Sequence, residues 1–175
     1  MKNIIIKKIN YILVILLLVG CGTFNYVKEE NLQSVKMPFQ ENDYKDNEEE
    51  FFTIQNATGT NMNIIRNRVL LAAKTDLSGK IKTMINSIGN QNLSFDNGNE
   101  RETFDQKSTS ISKQSIDKII KVDSKTFKKK NDNSYDYWVV YKVKLEDVIP
   151  LINSKNIGFE LNKQMISDDF ERNQN

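Results

Sequence analysis

Histidine is absent from the 175-residue chain. With it go Ser-His-Asp and Cys-His nucleophile pairs and the usual zinc and non-haem iron ligand sets. Cysteine occurs once, at Cys21, so no internal disulfide can form and packing alone must hold the fold. The chain also lacks a run of the roughly 20 apolar residues that a membrane-crossing helix needs. Its greasiest stretch, Ile9 to Val19, is about eleven residues long and includes Asn10 and Tyr11. A dominant charge is missing too. The formal +2 rests on Lys2, Lys7 and Lys8, for removing those three from 25 Lys and Arg leaves 22 against 23 Asp and Glu. A near-neutral chain offers no concentrated basic face for phosphates, so nucleic acid is not an expected partner.

What is present at the N-terminus has the order of a secretory signal: three lysines, a short apolar stretch, then a small residue before a cysteine. Leu18-Val19-Gly20-Cys21 resembles a bacterial lipobox. That resemblance implies cleavage between Gly20 and Cys21, a diacylglyceryl group on the Cys21 thiol and acylation of the new amine. Several acyl chains, at about 0.8 kcal/mol per buried CH₂, anchor a protein effectively for good, whereas one chain is marginal. Gly22, and not Asp, follows the cysteine, which is similar to the pattern forwarded to the outer membrane. The plainer alternative is an uncleaved cysteine in a membrane helix, and the shortness of the apolar run speaks against it. The first twenty residues are therefore expected to be a signal peptide.

Residues 21–50 are polar and acidic with no apolar period. A stretch of that kind buries too little to offset its ordering entropy and is expected to be a flexible tether spanning roughly 30 Å. The acidic run Asp46 to Glu50 reads as solvated linker, since no Asp/Asn-Gly ligand spacing of a calcium loop follows it. Residues 51–158 are expected to form the single domain, and 159–175 a short helical or disordered tail through Leu161, Met165 and Phe170.

Within the domain, Phe51 opens an aromatic and β-branched run ending in Thr58-Gly59-Thr60-Asn61, a strand followed by a helix start. Asn56-Ala57-Thr58 matches a glycosylation sequon, but a strand end is the simpler reading. The next segment places Ile65, Val69, Ala72, Ala73, Leu77, Ile81, Met84, Ile85 and Ile88 at helical spacing, with the two alanines suggesting close approach to a sheet. Beyond a loop at Asn90 to Gly98, Phe104, Ile111, Ile119 and Ile120 give a sparse stripe that predicts a helix passing into a strand near Ile116. Tyr137, Val139, Tyr141, Val143 and Leu145 then alternate with Trp138, Val140, Lys142 and Lys144, the second strand of a hairpin with one core face. Glu146 and Asp147 open a short helix in which Pro150 either falls in the first turn or kinks it. The expected fold is α+β: a small antiparallel sheet packed on one long amphipathic helix plus shorter helices, in the order β-α-(α)-β-β-α.

The segment Ile54 to Ile81 with its Gly59-Thr60-Asn61 turn, and the later strand and short helix from Tyr135 to Val148, resemble the LPP-twenty family of outer-membrane lipoproteins. That domain is in turn similar to the N-terminal domain of the flagellar T-ring protein. The resemblance covers about 110 residues after the tether, and it implies a non-enzymatic envelope protein with no catalytic residue to carry over. The family's helices carry more alanine at packing positions than Val69 and Leu70 allow here.

Two clusters are candidate sites. Lys128, Lys129 and Lys130 at the hairpin tip, with Tyr135, Tyr137 and Trp138 close in sequence, form a basic and aromatic set suited to glycan, lipid headgroup or nucleic acid, the last least expected at an envelope location. The alternative is a solvated turn beside core aromatics. Asp117, Asp123, Asp132, Asp136, Glu146 and Asp147 are the pool for a glycosidase-type carboxylate pair, which needs two carboxyls roughly 5 to 10 Å apart in a cleft. No motif fixes such a pair, so no enzyme, metal or cofactor is expected. The reading that follows is an envelope lipoprotein held to the outer membrane by acyl chains on Cys21 and docking onto another envelope protein. The alternatives are a glycan- or lipid-binding module and a carboxylate-based cell-wall hydrolase.

Overall fold

A computed structural model describes residues 37–130 and 132–174. Gly20, Cys21, the expected signal peptide and the first part of the expected tether lie outside the described residues. The chain forms β1 (Glu50–Gly59), α1 (Met62–Asn92), α2 (Gly98–Ser115), a 3-10 turn at Ile116–Lys118, β2 (Ile120–Lys128), β3 (Tyr135–Lys144), α3 (Leu145–Ser154) and α4 (Lys163–Gln174). The α+β class and the element order agree with expectation, with α4 added at the end.

The long helix starts where Asn61 can cap it, its side-chain oxygen accepting from the N–H groups of Asn63 at 3.0 Å and Ile64 at 3.3 Å. Such a cap contributes about 1 kcal/mol. From there α1 buries Ile65, Val69, Ala73, Leu77, Ile81, Ile85 and Ile88 as one stripe, each large aliphatic chain stabilising by about 1.5–3 kcal/mol. Ala72 is exposed, so Ala73 alone provides the close approach that both alanines were expected to share. The sparse stripe of α2 has a physical explanation. Ser108, Ser112 and Ser115 are buried beside Phe104 and Ile111, and their hydroxyls donate to Asn86 Oδ1, Thr109 O and Ile111 O. Once its hydroxyl is paired, serine can serve as a small core residue.

β3 is the central strand of the sheet, with antiparallel neighbours on both sides in the order β1-β3-β2. Its register with β1 sets Val143 against Phe51, Tyr141 against Thr53 and Tyr137 against Ala57, and this face packs on α1. The helix lies across β1 and β3. The second face carries Phe52, Ile54, Trp138, Val140 and Lys142. Val140 is nonetheless fully buried, and the segment before β1 packs on the same face. Phe39 is only 4% exposed, its ring meets Tyr44 edge-on at 5.9 Å, and Tyr44 meets Phe52 at 6.0 Å.

The domain therefore begins at Met37, and the boundary expected at residue 51 is corrected: aromatic residues 39 and 44 seal the sheet's second face. Asp46 likewise is no solvated linker residue. It accepts from the Phe52 N–H at 2.7 Å and pairs with Lys80 at 2.8 Å. At the other end, α4 buries Ile166 completely and Phe170 packs on Phe51 with ring centroids 5.8 Å apart, so residues expected to form a peripheral tail complete the core. Pro150 is the sixth residue of α3, beyond the first turn, on its exposed side where the carbonyl it cannot serve reaches water.

Candidate functional site

The pleat decides the fate of the hairpin cluster. Successive strand residues point to opposite faces, so Tyr137 and Trp138 cannot share a surface. Tyr137 is 6% exposed, turned to the helix layer, where the Arg66 guanidinium lies 5.9 Å from its ring centre. Trp138 is half-buried on the second face and donates its indole N–H to Asp136 at 3.2 Å. Tyr135 is half-buried against the core. Lys128, Lys129 and Lys130 are exposed at the tip. The lysines and aromatics thus do not assemble into one basic-aromatic platform.

The carboxylates are dispersed, and four of the six are engaged with neighbours. Asp132 accepts from the Ser134 hydroxyl at 2.6 Å and its N–H at 3.0 Å, which holds the carboxyl below its ordinary 3.8, the opposite of what a general acid requires. Asp136 accepts from Thr58 and Trp138, Glu146 pairs with Lys144 at 3.2 Å, and Asp123 accepts from the N–H of Ser124. Asp117 and Asp147 are exposed. Hydrogen bonding to Glu146 raises the pKa of Lys144. Burial, with a smaller contribution from Tyr137, raises that of Tyr141. Among the described residues no group of three or more His, Cys, Asp or Glu is placed to hold a metal ion.

Two clefts were built by features sequence reasoning missed. One, of about 680 Å³, runs between α1, α4 and the start of β1 past Phe51, Gly79, Met84 and Phe170. Its buried Asp169 accepts from Ser87 at 2.5 Å and Gln91 at 3.2 Å, tying α4 to α1. The other, of about 390 Å³, includes Glu50, Lys144, Glu146 and Lys163. Glu50 is paired with Lys142 at 2.6 Å and Glu146 with Lys144, and Glu48 and Glu49 line the cleft as well.

The feature that stands out is β2. It is an edge strand, and among the described residues no strand pairs with its outer side. Every residue from Ile120 to Lys128 except Ser124 is exposed, since α1 lies mainly over β1 and β3. Ile120, Val122 and Phe127 are 42%, 41% and 48% exposed. A strand with open backbone donors and acceptors along one side and apolar side chains on its faces is a ready template for another strand. Its sequence carried a signal for this: "IKVDSKTFK" puts charge on both faces, unlike β3.

Together these define a small α+β protein with helices on one side of a three-stranded sheet and one strand standing clear of the core. Compared with protein-family models, curated proteins and solved structures, the chain matches none.

Proposed function

We propose that the chain is a bacterial envelope lipoprotein, anchored in the outer membrane through acyl chains on Cys21, whose domain is a non-enzymatic interaction and assembly module. Its docking element is β2, which receives an extended segment of a protein partner. The observation that carries this reading is the exposure of β2 on both faces and along its free edge. Backbone hydrogen bonds would give affinity there and alternate side chains specificity. The lipobox-like Leu18-Val19-Gly20-Cys21 supports the anchor, and the resemblance to the LPP-twenty lipoproteins fits the same setting. The occupied carboxylates and the absence of histidine support a role without catalysis.

A photo-crosslinking residue placed at Phe127 in intact envelopes tests the docking reading. A discrete protein adduct, absent when the probe replaces the exposed Leu71 of α1, is expected. Labelling of lipid or glycan alone, or no adduct, would overturn it. Cys21→Ala should release the chain from membranes; retained lipid labelling of that variant would remove the anchor.

A further inference from the structure

We infer that the strand received by β2 is β2 of a second copy, paired antiparallel about a twofold axis at Ser124. The inference rests on the reading of β2 as the docking element and names its partner.

Residues directly opposite in an antiparallel pair share a face of the sheet. A twofold axis normal to the sheet therefore runs between a residue and its own copy directly opposite, and charge selects which residue. An axis at Asp123 sets Asp123 against itself. An axis at Lys125 sets lysine against lysine. Like charges directly opposite destabilise the pair. An axis at Val122 falls on the β-bulge between Lys121 and Asp123, and one at Thr126 runs the pairing off the strand end at Lys128. Ser124 is the midpoint of the nine-residue strand Ile120–Lys128. There Asp123 meets Lys125 of the other copy twice, both residues lying on the regular side of the Lys121/Asp123 bulge.

Asp123 Oδ1 accepts from the Ser124 N–H, which leaves its other oxygen for that pairing. Asp123 and Lys125 lie opposite Val140 and Trp138 in the β3 register, on the same face of the sheet, and both are exposed. The Lys125 ammonium already sits over the Phe39 ring at 4.7 Å and donates to Pro38 O at 2.7 Å, so its chain is held along this face with further donors free. Lysines and a bulge on an edge strand normally block indiscriminate pairing; in β2 they leave one register open.

The test uses the full chain in detergent. With Cys21→Ser, Ser124→Cys supplies the only thiol. Across the axis its Cα atoms would lie about 4.5–5.5 Å apart, inside disulfide range. At Thr126 the corresponding separation is about 14 Å. Ser124→Cys should therefore form a disulfide dimer about tenfold faster than Thr126→Cys. In sedimentation the parent should run as a dimer, Asp123→Lys as a monomer, and Asp123→Lys/Lys125→Asp as a dimer again. A monomeric parent, equal cross-linking at 124 and 126, or no rescue by the double swap would overturn self-pairing. If the probe at Phe127 still captures a different envelope protein, docking through β2 survives and only the choice of partner falls. If the probe captures nothing, both fall.

Discussion

Gly89 on α1 and Phe104 on α2 meet where nothing larger than hydrogen fits: a Cβ at position 89 would lie 2.2 Å from Phe104 Cζ. The ring cannot withdraw freely, since it is 3% exposed and meets Phe95 with centroids 5.5 Å apart. Gly89→Ala should lower stability by about 1–3 kcal/mol through overpacking, read by urea denaturation. Gly79, ten positions earlier on the same helix, has nothing within 4 Å of its would-be Cβ. Gly79→Ala should instead raise stability by about 0.5–1 kcal/mol, because alanine loses less backbone freedom in a helix. Opposite signs at two glycines of one helix separate packing from propensity.

Most of the helical layer was legible because α1 keeps one apolar period from Ile65 to Ile88. The β3 alternation was equally clear, and it correctly placed Tyr137 and Val143 in the core. Legibility failed where burial depends on distant partners. Phe39 and Tyr44 sit in an acidic stretch with no period, and only the second face of the sheet explains their burial. The hairpin cluster misled for the opposite reason, since nearness in sequence along a strand separates neighbours onto different faces. The openness of β2 depends on how far α1 extends over the sheet, a length no local pattern encodes.

The hairpin tip should respond to acid in a definite direction. Asp132 is held below its ordinary 3.8 chiefly by the Ser134 hydroxyl and N–H. A carboxyl lowered by folding contributes stability that is present above its unfolded value and lost as pH falls through the folded one. Carboxyl chemical shifts followed by NMR should place the Asp132 midpoint below 3.8. Ser134→Ala should move that midpoint upward, and an unchanged midpoint would show that the hydroxyl is not its cause.

Ile166 tests whether the C-terminal helix belongs to the core. It is fully buried, although it lies in a segment whose sequence reads as a tail. Ile166→Ala should cost about 2–5 kcal/mol, the range for emptying a core aliphatic site. A change within about 0.5 kcal/mol, as surface substitutions give, would return α4 to the periphery. Calorimetry of the two chains decides between these outcomes.

Phe39 offers a sharper separation, because it anchors the segment before β1 without touching the helix layer. Its burial depends on Tyr44, on the Lys125 ammonium and on the sheet's second face. Phe39→Ala should therefore free residues 37–44 while leaving the stripe of α1 in place. The loss is bounded by what docking the segment contributes, and by the roughly 3–5 kcal/mol typical of a buried Phe→Ala change. Limited proteolysis should cut the variant near residues 37–49 well before the parent, with little change in helical circular dichroism. If cleavage is no faster, the aromatic contacts do not hold the segment, and its attachment must come from Asp46, through its bonds to Lys80 and the Phe52 N–H.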